Sequence, residues 1–190
     1  HIILDGWSTG IILNQFMNFY NNDNYNAESQ IFKLSDYARY IRSFNYTEGI
    51  DYWKKYLINI DSPTLLKGTY SGKGSGNNCS FKIKSNIVYE FAKNNKITLA
   101  EFFYFAWALL LRIYLNCEDV VFGTTISGRN IAVSGINKAV GLFINTLPIR
   151  VKISDNSSVG EMISNIRKSL VNRQEYEIIS QSKINQALNM

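Results

Sequence analysis

The sequence predicts an α/β fold built in layers, with helices covering a mixed β-sheet. Three observations predict it. Several stretches carry apolar side chains at helical spacing and open on capping residues. Two runs, Val120 to Ile126 and Leu142 to Ile153, are rich in strand-favouring residues. The 190 residues are 46% hydrophobic, enough for a core and too apolar for wholesale disorder.

The elements follow in order. Trp7 to Tyr20 places Ile11, Ile12, Phe16 and Phe19 at the helical period, and Ser8 or Thr9 is the expected cap. Asn21 to Asn26 is a polar break. Ser35 begins a second helix with Tyr37, Ala38, Tyr40 and Ile41 recurring at helix spacing. Thr47 is the expected cap of a third, with Ile50, Trp53, Tyr56 and Leu57 on one face. Gly68 to Ser80 is rich in Gly, Ser and Asn and reads as an exposed, mobile loop. Its Ser71–Gly76 stretch lacks the spacing of a phosphate-binding loop.

Ser80 to Lys84 alternates apolar and polar residues and reads as a strand. Asn86 to Asn95 reads as a short helix. Thr98-Leu99-Ala100-Glu101 is a capping box opening a helix to about Leu115. That helix is apolar on nearly every side up to Leu111, which predicts deep burial. Ser127-Gly128-Arg129 is a turn, and Pro148 bends the second β-rich run or confines it to an edge. Ser158-Val159-Gly160-Glu161 is another capping box, and a last helix follows Ser180.

Composition excludes several functions. Twenty basic and fifteen acidic residues leave a net charge of +5 without clustered Lys or Arg, so nucleic acid is not an expected partner. Cys79 and Cys117 form no disulfide framework or metal-ligand spacing, and no metal is expected. The longest apolar run, Phe102 to Leu111, is about half the ~20 residues that span a bilayer, so no membrane association is expected. No basic stretch precedes an apolar one at the start, so a signal peptide is not expected, and the expected location is the cytoplasm. The chain opens on His1 rather than Met, which reads as an internal piece of a longer protein.

His1 is also the one histidine, in the context His1-Ile2-Ile3-Leu4-Asp5-Gly6-Trp7-Ser8. Three apolar residues separate an imidazole from a carboxylate, and Gly6 is expected to turn the chain tightly into the following helix. This segment resembles the second half of the HHxxxDG motif of condensation domains from nonribosomal peptide synthetases. Those domains are similar to chloramphenicol acetyltransferase, which uses HxxxD. Further blocks occur in the family order. Leu34-Ser35-Asp36-Tyr37-Ala38 resembles YxDYAxW, departing at Leu34 and Tyr40. Tyr52-Trp53-Lys54-Lys55-Tyr56-Leu57 resembles YWxxxL. Asp119 to Thr124, closing in Ser127-Gly128-Arg129, resembles the strand and SGR turn. Val140 to Arg150 resembles the GxFxNT block. Arg173 to Glu177 resembles HQDxPFE without its first His.

The resemblance implies a chloramphenicol acetyltransferase-like lobe, part of a two-lobed V-shaped domain about twice this length. It divides the chain into 1–60, the tail of the N-terminal lobe with the active-site motif and crossover helices; 61–80, a flexible linker; and 81–190, an incomplete C-terminal lobe. It implies amide-bond formation between a carrier-bound acyl or peptidyl thioester and a carrier-bound aminoacyl amine, an acyltransferase reaction, with the isolated fragment inactive. No cofactor is bound directly; the phosphopantetheine arms belong to upstream and downstream peptidyl carrier domains, and an adenylation domain is the implied neighbour. His1 becomes the catalytic residue, a hydrogen-bonding positioner that takes the late proton. Asp5 and Gly6 become active-site structural residues, with an arginine partner for Asp5 expected in the absent lobe; for Asp5 a helix N-terminal carboxylate favoured by the dipole also fits. Ser8, Asn145 and Arg129 become substrate-tunnel candidates, each with a structural alternative: a helix cap, a strand contact, and a turn or lobe anchor.

Alternatives stay open within the resemblance. Heterocyclising relatives carry DxxxxD, against His1, and epimerising relatives usually carry Val or Ile where Trp7 stands. A non-catalytic recruitment platform shares the fold with a broken motif, and the residue before His1 discriminates: His for catalysis, Arg for the platform. A carrier-free acyltransferase would instead use free acyl-coenzyme A.

Overall fold

In the computed structural model, residues 3–22, 32–60, 64–66, 80, 82 and 84–189 are described. They form α1 (Gly6–Asn21), α2 (Leu34–Ser43), α3 (Tyr46–Tyr56), α4 (Ser85–Asn94), α5 (Leu99–Leu115), β1 (Asp119–Ile126), β2 (Asn145–Lys152), α6 (Val159–Arg173) and α7 (Gln181–Leu188). Short 3-10 turns cover Ile136–Lys138 and Gln174–Tyr176. The loop expected at Gly68 to Ser80 lies, but for Ser80, outside the described residues. Of the strand expected over Ser80 to Lys84, residues 80, 82 and 84 carry no regular structure, and 81 and 83 lie outside the description.

Two compact units result, each assembled from separated segments. One comprises His1–Ile58, Gly123–Leu147 and Gln174–Met190; the other comprises Asn59–Phe122 and Pro148–Arg173. The strands pair as a two-stranded sheet. Thr124 Oγ1 donates to Leu147 O, while Arg150 meets the Asp119 carboxylate with Nε and Nη2. Residues late in one strand thus face residues early in the other, so the strands run antiparallel.

In the second unit, Val120, Ile149, Val151 and Ile153 pack against Phe105, Ala108 and Leu111 of α5 and Met162, Ile163 and Ile166 of α6. The capping box of α5 is complete: Thr98 Oγ1 accepts from Glu101 N–H, and Glu101 Oε2 accepts from Thr98 N–H. Glu101 also pairs with Arg167 of α6 at 2.8 Å. That guanidinium holds the Glu101 carboxyl below its ordinary value, with the Thr98 contacts, against the upward push of burial. The deep burial expected of α5 holds for one face alone. Phe103, Trp107, Leu110, Ile113 and Tyr114 are exposed, with Tyr114 at 73%, because no described element covers the face opposite the strands.

In the first unit, α3 packs against α7. Trp53 is fully buried and donates Nε1–H to Tyr176 O at 3.3 Å. Gly49 permits this approach, because a Cβ there would stand 2.4 Å from Ile179 Cδ1. A second cluster joins Val133, Ile136, Ala139 and Phe143 to the partly buried Phe32, Tyr37 and Tyr40.

Two caps differ from expectation. Asp5, not Ser8 or Thr9, caps α1, its carboxylate accepting from Ser8 N–H at 2.8 Å. Asn45, not Thr47, caps α3 by accepting from Glu48 N–H. In both cases an Asx side chain three residues upstream of the donating amide displaces the hydroxyl. Helix α1 carries no charged residue, and Ser8 is its one buried residue; Trp7, Leu13, Phe16, Met17, Phe19 and Tyr20 are exposed. Among the described residues, no single helix is long and apolar enough to cross a membrane.

Candidate active site

Asp5 stands at the N-terminus of α1, where a capping carboxylate meets unpaired helix amides and the positive end of the helix dipole. It is almost fully buried, at 1% exposure. Its Oδ1 receives the Ser8 amide at 2.8 Å and the Ser8 hydroxyl at 2.7 Å. Its Oδ2 receives the Phe143 amide at 3.1 Å. Arg129 Nη2 lies 3.1 Å from both oxygens. Burial by itself would raise the carboxyl's pKa. The Ser8 hydroxyl and amide, the Phe143 amide and the Arg129 guanidinium outweigh burial and hold it down at about 2.

Arg129 is equally enclosed. Its Nη1 donates to the carbonyls of Ile136 at 2.7 Å and Ala139 at 2.9 Å. The guanidinium carbon lies over the Phe143 ring, 4.4 Å from its centre, and Trp7 is a second ring at 5.8 Å. Arg129 Nε is buried without a hydrogen-bond partner among the described residues. The arginine expected in an absent lobe is therefore found within this chain. The Arg129 side chain serves as Asp5's counter-ion, and its 2% side-chain exposure leaves a substrate almost nothing to touch.

Ser8 is fully buried and joins three segments. Its hydroxyl lies 2.7 Å from both Asp5 Oδ1 and Gly141 O, and it accepts from Gly141 N–H at 3.0 Å and Arg129 Nη2 at 3.1 Å. Trp7 adds an Nε1–H bond to Asn137 O at 2.9 Å. The start of α1 is thereby stitched to the 136–143 segment.

Gly6 does not need glycine's freedom here: it is the first residue of α1, has no positive φ, and an added Cβ would meet nothing within 4 Å. The glycine the geometry requires is Gly128. Its φ is +65°, and a Cβ there would fall 1.7 Å from Phe143 O. This tight turn aims Arg129 inward.

Asn145 opens β2 and is half-buried. Its Nδ2 donates to Glu177 O and Ile179 O, both at 2.9 Å, tying the strand to the segment before α7. A cavity of about 220 Å³ lies beside it, with Phe143, Tyr37 and Glu177 in its wall. The structure thus brings Asp5, Ser8 and Arg129 into one network and sets Asn145 against the cavity. His1 lies outside the described residues. Sequence reasoning gave no role to the Phe143 and Gly141 backbone or to the Trp7 indole, although all three lie inside the quoted motif blocks.

Comparison with known proteins shows the family of the chain and its fold. A plipastatin synthase subunit from Bacillus subtilis (strain 168) is 32% identical over 204 residues, covering 99% of this chain and 8% of that protein. Gramicidin S synthase 2 of Brevibacillus brevis is 30% identical over 190 residues, covering 93% of this chain and 4% of that protein. The chain therefore spans a small part of the curated relatives it matches. Among solved structures, the first condensation domain of the calcium-dependent antibiotic synthetase superposes with a TM-score of 0.75 at 17% identity, covering 99% of this chain and 44% of that one. The X-domain from teicoplanin biosynthesis superposes with a TM-score of 0.73, also at 17% identity, covering 99% of this chain and 46% of that one. These two likenesses establish a shared fold. The family sequence profile described as "Condensation domain" matches residues 1–189, and the chain belongs to that family, the condensation domains of nonribosomal peptide synthetases.

Proposed function

We propose that this chain is the catalytic-motif part of a two-lobed domain that joins a carrier-bound acyl or peptidyl thioester to a carrier-bound aminoacyl amine. The observation that carries the reading is the buried network of Asp5, Ser8 and Arg129. It anchors Asp5, four residues beyond His1 in the sequence. Upstream and downstream peptidyl carrier domains supply the two substrates on phosphopantetheine arms, an adenylation domain is the neighbour, and the setting is the cytoplasm.

The acceptor nitrogen attacks the thioester carbonyl, the C–N bond forms, the C–S bond breaks, and the donor arm leaves as a thiolate. An α-amino group has a pKa of ~7.7–8.0, so freeing the amine at neutral pH costs under about 1 kcal/mol. Two tasks remain: holding the tethered reactants in line, which can supply ~7–11 kcal/mol, and removing the nitrogen's proton as the amide forms. His1 suits the second task, because imidazole titrates near neutral pH, and it passes that proton on to the departing thiolate. Asp5 does not. With a pKa of about 2 and both oxygens occupied, it is a poor proton acceptor and acts as an anchor.

The reading is tested by single-turnover amide formation from preloaded donor and acceptor carriers. The intact two-lobed domain forms the amide above the carrier-only background, and the 190-residue chain alone does not. A domain that is folded and binds carriers but forms no amide favours the recruitment-platform alternative. Turnover of free acyl-coenzyme A without carriers favours the carrier-free acyltransferase.

A further inference from the structure

We propose that the cavity between the end of α4 and the start of α6 is a binding site for a small uncharged molecule, one apolar ring with a short hydroxyl-bearing tail. The site lies wholly in the second compact unit and is independent of the condensation reaction proposed above. A folded interior has few voids larger than a water molecule, yet this one measures about 410 Å³. Pockets for whole small molecules begin at ~300 Å³. At ~30 Å³ per water it holds about fourteen waters, room for a ring and a tail.

The cavity is formed without a ligand. Asn95 donates Nδ2–H to Phe91 O at 2.8 Å, and Ile97 N–H donates to Ala92 O at 2.9 Å, which closes the turn after α4. Arg167 reaches from α6 to that turn. Its Nη2 donates to Lys96 O, and its Nε and Nη2 meet the two Glu101 oxygens at 2.8 and 2.9 Å. Lys96 itself sits at φ +53°, a left-handed conformation that a residue with a side chain keeps only where its surroundings hold it. Both sides of the cavity are therefore tied together by bonds within the chain.

The wall selects the ligand's chemistry. Phe91, Ile97, Val159 and Ile163 supply apolar surface, and Phe91 and Val159 are exposed enough to open the cavity to solvent. Gly160 adds room, since a Cβ there would meet nothing within 4 Å. Among the described residues Arg167 is the one charged wall residue, and the Glu101 carboxylate neutralises it. A charge on the ligand would lose hydration without gaining a counter-ion. Asn95 and Ser164 are the neutral polar wall residues, and they match a hydroxyl.

The test titrates the 190-residue chain by NMR at neutral pH with phenethyl alcohol, phenylacetate, phenethylamine and ethanol. Phenethyl alcohol is expected to bind at least ~10-fold tighter than the anion or the cation, and at least ~10-fold tighter than ethanol, which lacks the ring. Gly160→Phe fills the cavity from a position with no steric neighbour and replaces a poor helix former. It is expected to abolish binding with the circular dichroism unchanged, and Ser164→Trp serves if that variant unfolds. Phe16→Lys, on the exposed face of α1, is expected to leave binding as it is. The proposal is overturned if phenethyl alcohol does not bind saturably, if either charged analogue binds as tightly, or if binding survives the filled variants. Binding lost in Phe16→Lys and kept in Gly160→Phe would overturn it too, by moving the site to α1.

Discussion

Arg129 Nη2 lies 3.1 Å from each carboxylate oxygen of Asp5, across 124 residues of sequence, with both side chains almost fully excluded from solvent. A buried pair of this kind gains little over an apolar replacement, but losing one partner leaves a charge stranded in a dry site. Asp5→Ala and Arg129→Ala are each expected to destabilise the chain by ~3–5 kcal/mol, and the double variant by clearly less than their sum. Denaturant melts of the four proteins measure this. Additive losses would show that the pair is not coupled.

The same carboxylate sets an acid limit. Its pKa is about 2 in the folded chain against ~3.9 unfolded. A depressed folded pKa contributes stability that is complete above the unfolded value and lost as pH falls through the folded one. The contribution is ~2–3 kcal/mol, present above about pH 5 and lost between about pH 4 and pH 2. Stability profiles of the parent and Asp5→Asn should converge over that interval. Parallel profiles would remove Asp5 as the source.

Gly128→Ala is expected to cost ~2 kcal/mol or more, because a non-glycine residue at φ +65° is strained and the new Cβ would collide with the Phe143 carbonyl. Gly6→Ala, where a Cβ meets nothing, is expected to be nearly neutral. Thermal melts of the two variants make a direct contrast, and equal shifts would contradict the assignment of the required turn to Gly128.

What the sequence made legible was local. The span of α5 followed from Thr98 and Glu101, whose reciprocal bonds are made within four residues, and the start of α7 followed from Ser180. The cap of α1 falls on Asp5 rather than on Ser8 or Thr9, because the carboxylate that the sequence offers either to the helix dipole or to the site meets both the Ser8 amide and a distant arginine. The Asp5–Arg129 contact was illegible because no local pattern encodes a pairing across 124 residues. The exposure of α5's second face was likewise hidden, since an all-apolar helix reports that it must be covered and not by what.

That apolar exposure has a consequence for the isolated chain. Helix α1 has no charged residue and shows Phe16 at 60% and Tyr20 at 75% exposure. Contiguous apolar surface of this kind drives association. The chain alone is expected to bind an apolar dye and to self-associate with rising concentration, and Phe16→Lys is expected to reduce both without lowering the melting temperature. A monomer that binds no dye would contradict this.

In the proposed mechanism labour is divided: His1 handles the proton, and Asp5 holds the site together. In the intact two-lobed protein, single-turnover amide formation from preloaded carriers is paired with a thermal melt of His1→Ala and Asp5→Ala. His1→Ala is expected to slow the reaction ~10²–10⁴-fold with the melt unchanged, while Asp5→Ala lowers the melting temperature by several degrees. Turnover of folded His1→Ala at the parent rate, or an Asp5→Ala variant as stable as the parent yet equally slow, would contradict the account.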